Sequence, residues 1–527
     1  MMKRFFPYLL LFAGIFSCSS DDKVTETIPL KVVSGLDADN ELNVSATTTE
    51  AVFYVSTPET PEVKSSYHWI RGLAGEPDKA NHISEIKLQM DENTDTDNSR
   101  TANIVLSAGK EKVEIRVTQG KSEAVVPPVP EEKEHTPWIN PEPCEIGGET
   151  AREVALSLGV GWNLGNQMDA YSNGVSSETA WGNPKTTQAL FDVLKSRGFS
   201  TVRIPVTWMG HIGNAPDYKI EEAWLSRVVE IVEMAEKAGL NAVVNMHHDG
   251  ADSKYWLDIK GCAANATKQN ETKKEIAAVW GQIAEAMKDK GNFLMFEAFN
   301  EIHDGGWGWG SNRSDGGKQY RCLNEWNQTF VDAVRATGGN NSTRWLSVPS
   351  YVTNIDLAVD GSLILPKDPA KRVMVSVHFY EPNDFALDAK VSDWGHTGDP
   401  SKKGSVKQDE DYMTSQFAKL TRYWVDKGTP VYIGESGPSN MATERGLAFR
   451  NYYLEYMHRA AREASLAVFY WDNGAVGKGT DKWAMFNHAT GAVVNDSEEA
   501  INAMLTGGTC RDEDYDLQTV YNKAPVF

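Results

Sequence analysis

The sequence predicts an α/β protein: a (β/α)8 TIM barrel preceded by a small all-β, immunoglobulin-like sandwich. Two textures and the break between them carry that expectation. From Ile28 to about Gly120 short runs alternate apolar and polar residues, as in Ala51-Val52-Phe53-Tyr54-Val55 and Lys112-Val113-Glu114-Ile115-Arg116-Val117, with Gly, Asn and Asp between them. A period of two punctuated by turn residues marks half-buried strands of a sandwich over 28–120. Beyond residue 143 eight short apolar runs alternate with amphipathic stretches over about 350 residues, the rhythm of a barrel larger than the usual size of about 250 and so carrying loop insertions. Between them, Val125-Val126-Pro127-Pro128-Val129-Pro130-Glu131-Glu132 has no amphipathic period. Proline fixes φ and charge opposes collapse, so 121–143 reads as a semi-rigid linker and 144–510 as the barrel.

At the start of the chain, Lys3 and Arg4 precede an apolar stretch from Phe5 to Phe16. A bilayer core of about 30 Å needs about 20 residues, so this stretch reads as a signal peptide over 1–17 and not as a membrane span. A small residue directly before Cys18 resembles the lipobox of bacterial lipoproteins, and Ser19-Ser20-Asp21-Asp22 resembles the acidic tag of surface-exposed ones. Those likenesses imply a lipid on Cys18 and a surface-exposed place on the outer membrane. The sandwich has no cluster of acids or histidines, so its pattern carries no site chemistry, and a spacer or tether is favoured over carbohydrate binding. A formal net charge of −21 repels polyanions and speaks against nucleic acid as a partner. Sixteen tryptophans exceed what cores need, and flat apolar rings suit sugar faces. Cys144, Cys262, Cys322 and Cys510 allow three disulfide pairings, and the lack of a C-x-x-C pair speaks against structural zinc.

The eight barrel runs are Gly159–Leu164, Thr201–Pro205, Ala242–His247, Leu294–Phe299, Trp345–Val348, Val373–Tyr380, Val431–Glu435 and Ala467–Trp471. Helical patterns fill most of the gaps, among them Glu221–Ala238, Glu271–Lys290 and Asp409–Lys427. A doubly wound sheet would need a third phosphate-turn glycine after Gly159-Val160-Gly161, and none follows. In a parallel barrel all strand C-termini open onto one face. Six of the runs carry groups able to do chemistry there: Arg203, His247, Asn300 with Glu301, His378 with Tyr380, Glu435 and Trp471. One such residue is ordinary; six on one face make a site.

Those residues resemble glycoside hydrolase family 5, of the clan with its acid/base on strand four and its nucleophile on strand seven. Phe296-Glu297-Ala298-Phe299-Asn300-Glu301 looks like the family's Asn-Glu strand and Ile433-Gly434-Glu435 like its nucleophile strand. Trp162-Asn163-Leu164-Gly165-Asn166 and Trp181-Gly182-Asn183-Pro184 resemble subfamily 4, rich in endoglucanases and xyloglucanases. Upstream, Ile115-Arg116-Val117-Thr118-Gln119-Gly120 resembles the end of a BACON domain. The resemblance implies Glu301 as acid/base and Glu435 as nucleophile, with Arg203, His247, Asn300, His378, Tyr380 and Trp471 binding or orienting. It further implies a retaining endo-β-1,4-glucanase on plant cell-wall glucan, xyloglucan favoured and a general endoglucanase, mixed-linkage glucanase or glucomannanase the alternatives, acting as a monomer with no cofactor or metal.

A retaining mechanism asks for opposite acidities, so Glu301 is expected raised and Glu435 held low by Arg203 and Tyr380. Two positions depart from the family pattern: Ile302 stands where proline is common, and Ser436, where an aromatic is common, is expected to leave room beside the nucleophile. Asp304-Gly305-Gly306-Trp307-Gly308-Trp309-Gly310 reads as a loop beside Glu301, either lining the cleft or packed on itself. Metal-dependent hydrolysis, suggested by His247-His248-Asp249, is disfavoured because adjacent residues on a strand point to opposite faces. A non-catalytic glycan-binding protein would be expected to lack one of the two glutamates, and both are present.

Overall fold

The computed structural model describes residues 28–37, 39–122 and 133–527. The expected signal peptide 1–17, Cys18 and the Pro/Glu run of the linker lie outside the described residues. The chain divides into two compact units, Met1–Glu131 and Glu132–Phe527.

The first unit is two four-stranded sheets. One contains β1 (Lys31–Ser34), β3 (Glu50–Ser56), β6 (Ile83–Met90) and β5 (Ile70–Ala74), in that order. The other contains β2 (Glu41–Val44), β8 (Glu111–Gln119), β7 (Arg100–Ala108) and β4 (Glu62–Ser65). Alternate residues such as Phe53, Val55, Ile86, Leu88, Ile104, Leu106, Ile115 and Val117 are fully buried in one apolar cluster. The period-two pattern is thus the inward face of each strand.

In the second unit β9 (Val160–Leu164) is followed by a small hairpin, β10 (Tyr171–Ser172) and β11 (Val175–Ser176). Then come β12 (Thr201–Ile204), β13 (Asn241–Val244), β14 (Leu294–Glu297), β15 (Leu346–Pro349), β16 (Val373–Phe379), β17 (Val431–Ser436) and β18 (Ala467–Asp472). Strands β12 to β18 pair in parallel and in order, and β9 closes the ring between β18 and β12. Every residue of β9 and of β12 to β17 is buried, as a parallel sheet covered by helices requires.

Helices Glu222–Ala238, Ala266–Ala286 and Glu410–Tyr423 overlap the three stretches singled out by periodicity, the second starting five residues early, and Lys318–Ala336 and Glu444–Glu463 join them in the wall. Below the barrel, Val243, Met295, Met374, Tyr432 and Phe469 pack against Ile146, Val154 and Leu158. Val154 belongs to a short helix, Ala151–Ser157, whose N-terminus Thr150 and Glu153 cap reciprocally.

Residues 133–143, expected as linker, run along the barrel unit instead. Lys133 Nζ donates to Asp514 at 2.7 Å, His135 Nδ1 meets Asp512 at 2.9 Å, and the Trp138 N–H donates to Thr509 at 3.0 Å. Past the expected end at 510, Tyr515 is buried and its hydroxyl donates to Glu455 at 2.8 Å. These residues are polar and aperiodic, which is why pattern alone left them out. Cys144, Cys262, Cys322 and Cys510 are all buried free thiols.

Candidate active site

The mouth of the barrel is organised around one guanidinium. Arg203, on β12, is wholly buried and donates from all three nitrogens. Nε reaches Glu297 at 2.7 Å, Nη1 reaches Glu435 at 2.7 Å and Asn163 at 3.0 Å, and Nη2 reaches Asn300 at 2.9 Å. Glu297 in turn accepts from Asn245 at 2.9 Å, Ser376 at 2.6 Å and Tyr432 at 2.9 Å. A buried charge is tolerated only when paired and hydrogen-bonded. Here Glu297 balances Arg203, and its carboxyl is held low because Arg203 and its donors outweigh the burial that would raise it.

Above this floor stand the two glutamates. Glu435 accepts from Arg203 and, through Oε2, from the Tyr380 hydroxyl at 3.0 Å. Glu301 meets His378 Nδ1 at 2.7 Å and accepts from the Thr353 hydroxyl at 3.4 Å. A register shift between Val377 and His378 sets His378 opposite Glu435 on the neighbouring strand, a local irregularity of the kind that re-aims side chains near sites. His378 Nδ1 therefore lies 3.5 Å from Glu435 as well, and one carboxylate oxygen of each glutamate and a ring nitrogen of His378 fall within 4.8 Å of one another. The Glu301 side chain is 21% exposed and that of Glu435 8%, so solvent reaches Glu301 more readily.

The acidities differ from those expected from the sequence. Burial raises Glu435 above the ordinary carboxyl range, with the nearby Glu301 charge adding to it and His378 and Arg203 pulling against it. Burial also acts on Glu301, but the His378 hydrogen bond and the charges of His378, His303 and Arg203 outweigh it and hold Glu301 low. The reason is His378, whose short bond goes to Glu301 and whose longer contact goes to Glu435. The Glu301 charge acts directly on Glu435, so the acidities of the two carboxyls are linked. Tyr380, pushed well up by burial and by Glu435, stays a hydroxyl donor, and burial keeps His247 neutral.

His247 receives a 3.2 Å contact from Asn245 on its Nδ1, and its ring stacks on Trp471 at 5.7 Å with 4° between planes. Trp471 is half-buried. Its position depends on Gly165, where a Cβ would fall 2.8 Å from the indole and 2.7 Å from the Asp472 carbonyl. All eight sequence-predicted residues therefore meet at one place.

Two sequence expectations are corrected by the geometry. Strand β13 stops at Val244 and the chain turns at His247 into a short 3-10 segment, His248–Ser253, so strand alternation does not apply to the histidine pair. Both histidines gather beside buried Asp169, with ligand-type atoms of all three within 4.8 Å of one another and His248 Nε2 3.4 Å from Asp169 Oδ2. Ser436 is wholly buried and its hydroxyl donates to the Phe469 carbonyl at 2.9 Å; it points away from the cleft and opens no room beside Glu435. Sequence reasoning missed the floor: Asn163, Asn245, Glu297, Ser376 and Tyr432. An acid inside the apolar run Leu294–Phe299 was the available signal.

Residues 166–477 match the family model of cellulase (glycosyl hydrolase family 5), and residues 59–120 match that of BACON. Endoglucanase A of Paenibacillus barcinonensis is 37% identical over 374 residues, covering 68% of this chain and 90% of that protein. A xyloglucan-specific endo-β-1,4-glucanase of Bacteroides ovatus is 29% identical over 526 residues, covering 95% of this chain and 96% of its own. Among solved structures, a broad specificity endoglucanase of subfamily 4 from Bacteroides salanitronis is 56% identical with a TM-score of 0.68, covering 71% of this chain and 99% of that one.

Proposed function

The chain belongs to glycosyl hydrolase family 5, and on that premise we propose that it is a retaining endo-β-1,4-glucanase of plant cell-wall glucans. Glu435 is its nucleophile and Glu301 its acid/base. The observation that carries this reading is the distance between the two glutamates. Retaining enzymes hold their carboxyls close, about 5–5.5 Å apart, and here an oxygen of Glu301 and one of Glu435 lie within 4.8 Å of each other and on either side of one ring nitrogen, His378 Nδ1, at 2.7 and 3.5 Å, which supports the retaining case.

In the first step Glu435, oriented by Arg203 and Tyr380, attacks the anomeric carbon as Glu301 protonates the departing oxygen. In the second, Glu301 takes a proton from the incoming water and Glu435 leaves as a carboxylate. Asn300 has its Oδ1 engaged by Arg203, so it offers the sugar 2-hydroxyl its amide N–H, a contact that strengthens in the transition state. Trp471, braced by His247, offers a ring face to the sugar at the cleavage point.

Xyloglucan is the polymer we place first, supported by the xyloglucan-specific relative that matches nearly the whole chain, sandwich included. A second reading, broad action on several β-glucans, is favoured by the 56% identity to the broad specificity endoglucanase. Reducing-end release from xyloglucan, mixed-linkage glucan, carboxymethylcellulose, mannan and xylan, with Glu435→Gln as control, decides between them. Large fragments from xyloglucan alone support the first; comparable rates on linear glucans support the second. Silence on every polymer overturns both.

We further propose a lipid on Cys18 that holds the enzyme at the outer-membrane surface, motivated by Lys3-Arg4, the short apolar stretch and Ser17-Cys18. Metabolic labelling with a fatty acid, absent in Cys18→Ala, is the expected result; equal labelling of both would sink it.

A further inference from the structure

We propose that His135, Cys510 and Asp512 form a zinc site on the face of the barrel opposite the two glutamates, where the ion fastens the arm that enters the barrel unit to the tail that ends it.

Two segments running past one another assemble the trio. The tail leaves the helix Glu498–Thr509 at Cys510, whose φ of −52° and ψ of 135° are extended. The arm meets this tail in reverse order. Lys133 Nζ reaches Asp514 at 2.7 Å, His135 Nδ1 reaches Asp512 at 2.9 Å, and the Trp138 N–H reaches Thr509 at 3.0 Å, with the Arg511 guanidinium 3.3 Å over the Trp138 ring. His135 and Asp512 stand 377 residues apart in the sequence, so no spacing motif marks them. Trp138, Thr509 and Arg511 also line a cavity of about 290 Å³ together with Gly159 and Ser200, the residues just before β9 and β12. The trio therefore lies by the N-terminal ends of the strands, the face of this fold that serves stability while the other serves catalysis.

One ligating atom from each of the three residues lies within 4.8 Å of the other two. Zinc bonds of about 2.0–2.3 Å in a tetrahedral arrangement set ligand atoms about 3.3–3.6 Å apart, so the imidazole and carboxylate have only to part slightly and the thiol to swing inward. Thiolate, imidazole and carboxylate are the donors that zinc takes, and three of them leave a fourth position for water. Cys510 is 2% exposed and the His135 side chain 5%, whereas the Asp512 side chain is 39% exposed, which gives an ion its way in past the carboxylate. That carboxyl is held low by its bond to His135 and by Lys133, so it is charged when the ion arrives. The ring of buried Tyr515 stands 4.7 Å from the imidazole and braces it. Lys133, 3.5 Å from Asp512, keeps its shorter bond to Asp514. On binding, Cys510 releases its thiol proton to solvent and the sulfur lone pair goes to the ion, with no change of oxidation state. Two other clusters of this kind among the described residues, Asp169 with His247 and His248 and Glu301 with His378 and Glu435, stand at the catalytic mouth and contain no thiol.

The test titrates the untagged full chain, reduced and freed of metal by a chelator, with Co²⁺ and then Zn²⁺. One equivalent of Co²⁺ should give a thiolate-to-cobalt charge-transfer band together with the visible bands of a four-coordinate ion, and Zn²⁺ should bleach both. Cys510→Ser should abolish the charge-transfer band. His135→Gln and Asp512→Asn should each weaken Zn²⁺ binding by more than about 100-fold, the upper end for loss of a mere outer-shell partner. Zn²⁺ should raise the Tm of the wild type and leave that of Cys510→Ser unmoved. A wild-type far-ultraviolet circular dichroism spectrum certifies the fold of each variant, and Asp512, being exposed, can be changed without disturbing the packing. A wild type with no charge-transfer band, a band that survives Cys510→Ser, or Zn²⁺ binding unchanged in His135→Gln or in Asp512→Asn overturns the site.

Discussion

Replacing Tyr380 by phenylalanine removes one oxygen and with it one of the two donors, with Arg203, that hydrogen-bond Glu435, the 3.0 Å bond to Oε2. The ring keeps its edge contact with Trp483 at 5.7 Å and 80°, so the fold has no reason to change. As the proposed nucleophile, Glu435 regains its charge when it leaves the glycosyl-enzyme, and the Tyr380 hydroxyl is there to receive it. A hydrogen bond to a charged group is worth about 1.5–3 kcal/mol, and each 1.36 kcal/mol is tenfold in rate, so hydrolysis of the intermediate slows by about 10- to 160-fold if the full charge develops. With dinitrophenyl β-cellobioside, whose leaving group departs without acid help, this step limits turnover. Stopped-flow measurement should show a burst of dinitrophenol close to one per enzyme, followed by the slowed steady rate. The pH profile supplies a sign check. Loss of a donor to the ionised form makes Glu435, already raised by burial, ionise at still higher pH, so the acid limb of kcat/KM moves upward. A variant with no burst and an acid limb unmoved or shifted downward would refute the reasoning.

Glu301→Ala should lose polymer hydrolysis by about 10²- to 10⁴-fold yet still release dinitrophenol from the activated glycoside, with azide restoring turnover; equal loss on both substrates in the presence of azide would remove Glu301 from the acid/base role. Arg203→Met strands Glu297 and Glu435 without their cation. Breaking a buried pair in this way costs about 3–5 kcal/mol, read as a lower denaturant midpoint, and a change under about 1 kcal/mol would show that the floor does not depend on the charge. Native protein should leave Cys144, Cys262, Cys322 and Cys510 unreactive toward a thiol reagent, since all four are buried and burial pushes the Cys322 thiol up to about 12. Unfolding without reductant should expose four thiols beside Cys18, whereas finding only two or none would mean disulfides.

The sequence made the strand ends legible because a parallel barrel places them on one face whatever the loops do. Arg203, His378, Glu435 and Trp471 each terminate or sit within an apolar run, and that position alone brings them together. Asn300 and Glu301 lie just past β14, where Ala298 and Asn300 still donate to Ser347 and Met246 at 2.9 Å. What stayed hidden depends on local backbone. The turn at His247 broke the alternation rule, and the side on which Ser436 emerges was invisible without the pairing of β17 and β18. The contact of His378 with both glutamates follows from a register shift that no pattern reports. The floor residues were hidden for a different reason, since Asn163, Asn245, Ser376 and Tyr432 look like ordinary members of buried strands until Arg203 is placed among them.

The four-way clamp on Arg203 has a consequence for the energy of the reaction itself. In water, charge moving from a carboxylate to a sugar oxygen drags solvent dipoles through a costly reorientation. Here the guanidinium is wholly buried and fixed by acceptors on β9 and β17, at the end of β14 and just beyond it. Its field at Glu435 is already set when the polymer arrives and cannot relax as the charge shifts, so little reorganisation energy is added to the barrier. Changes in the rim loops can then alter which glucan is accepted without disturbing that field.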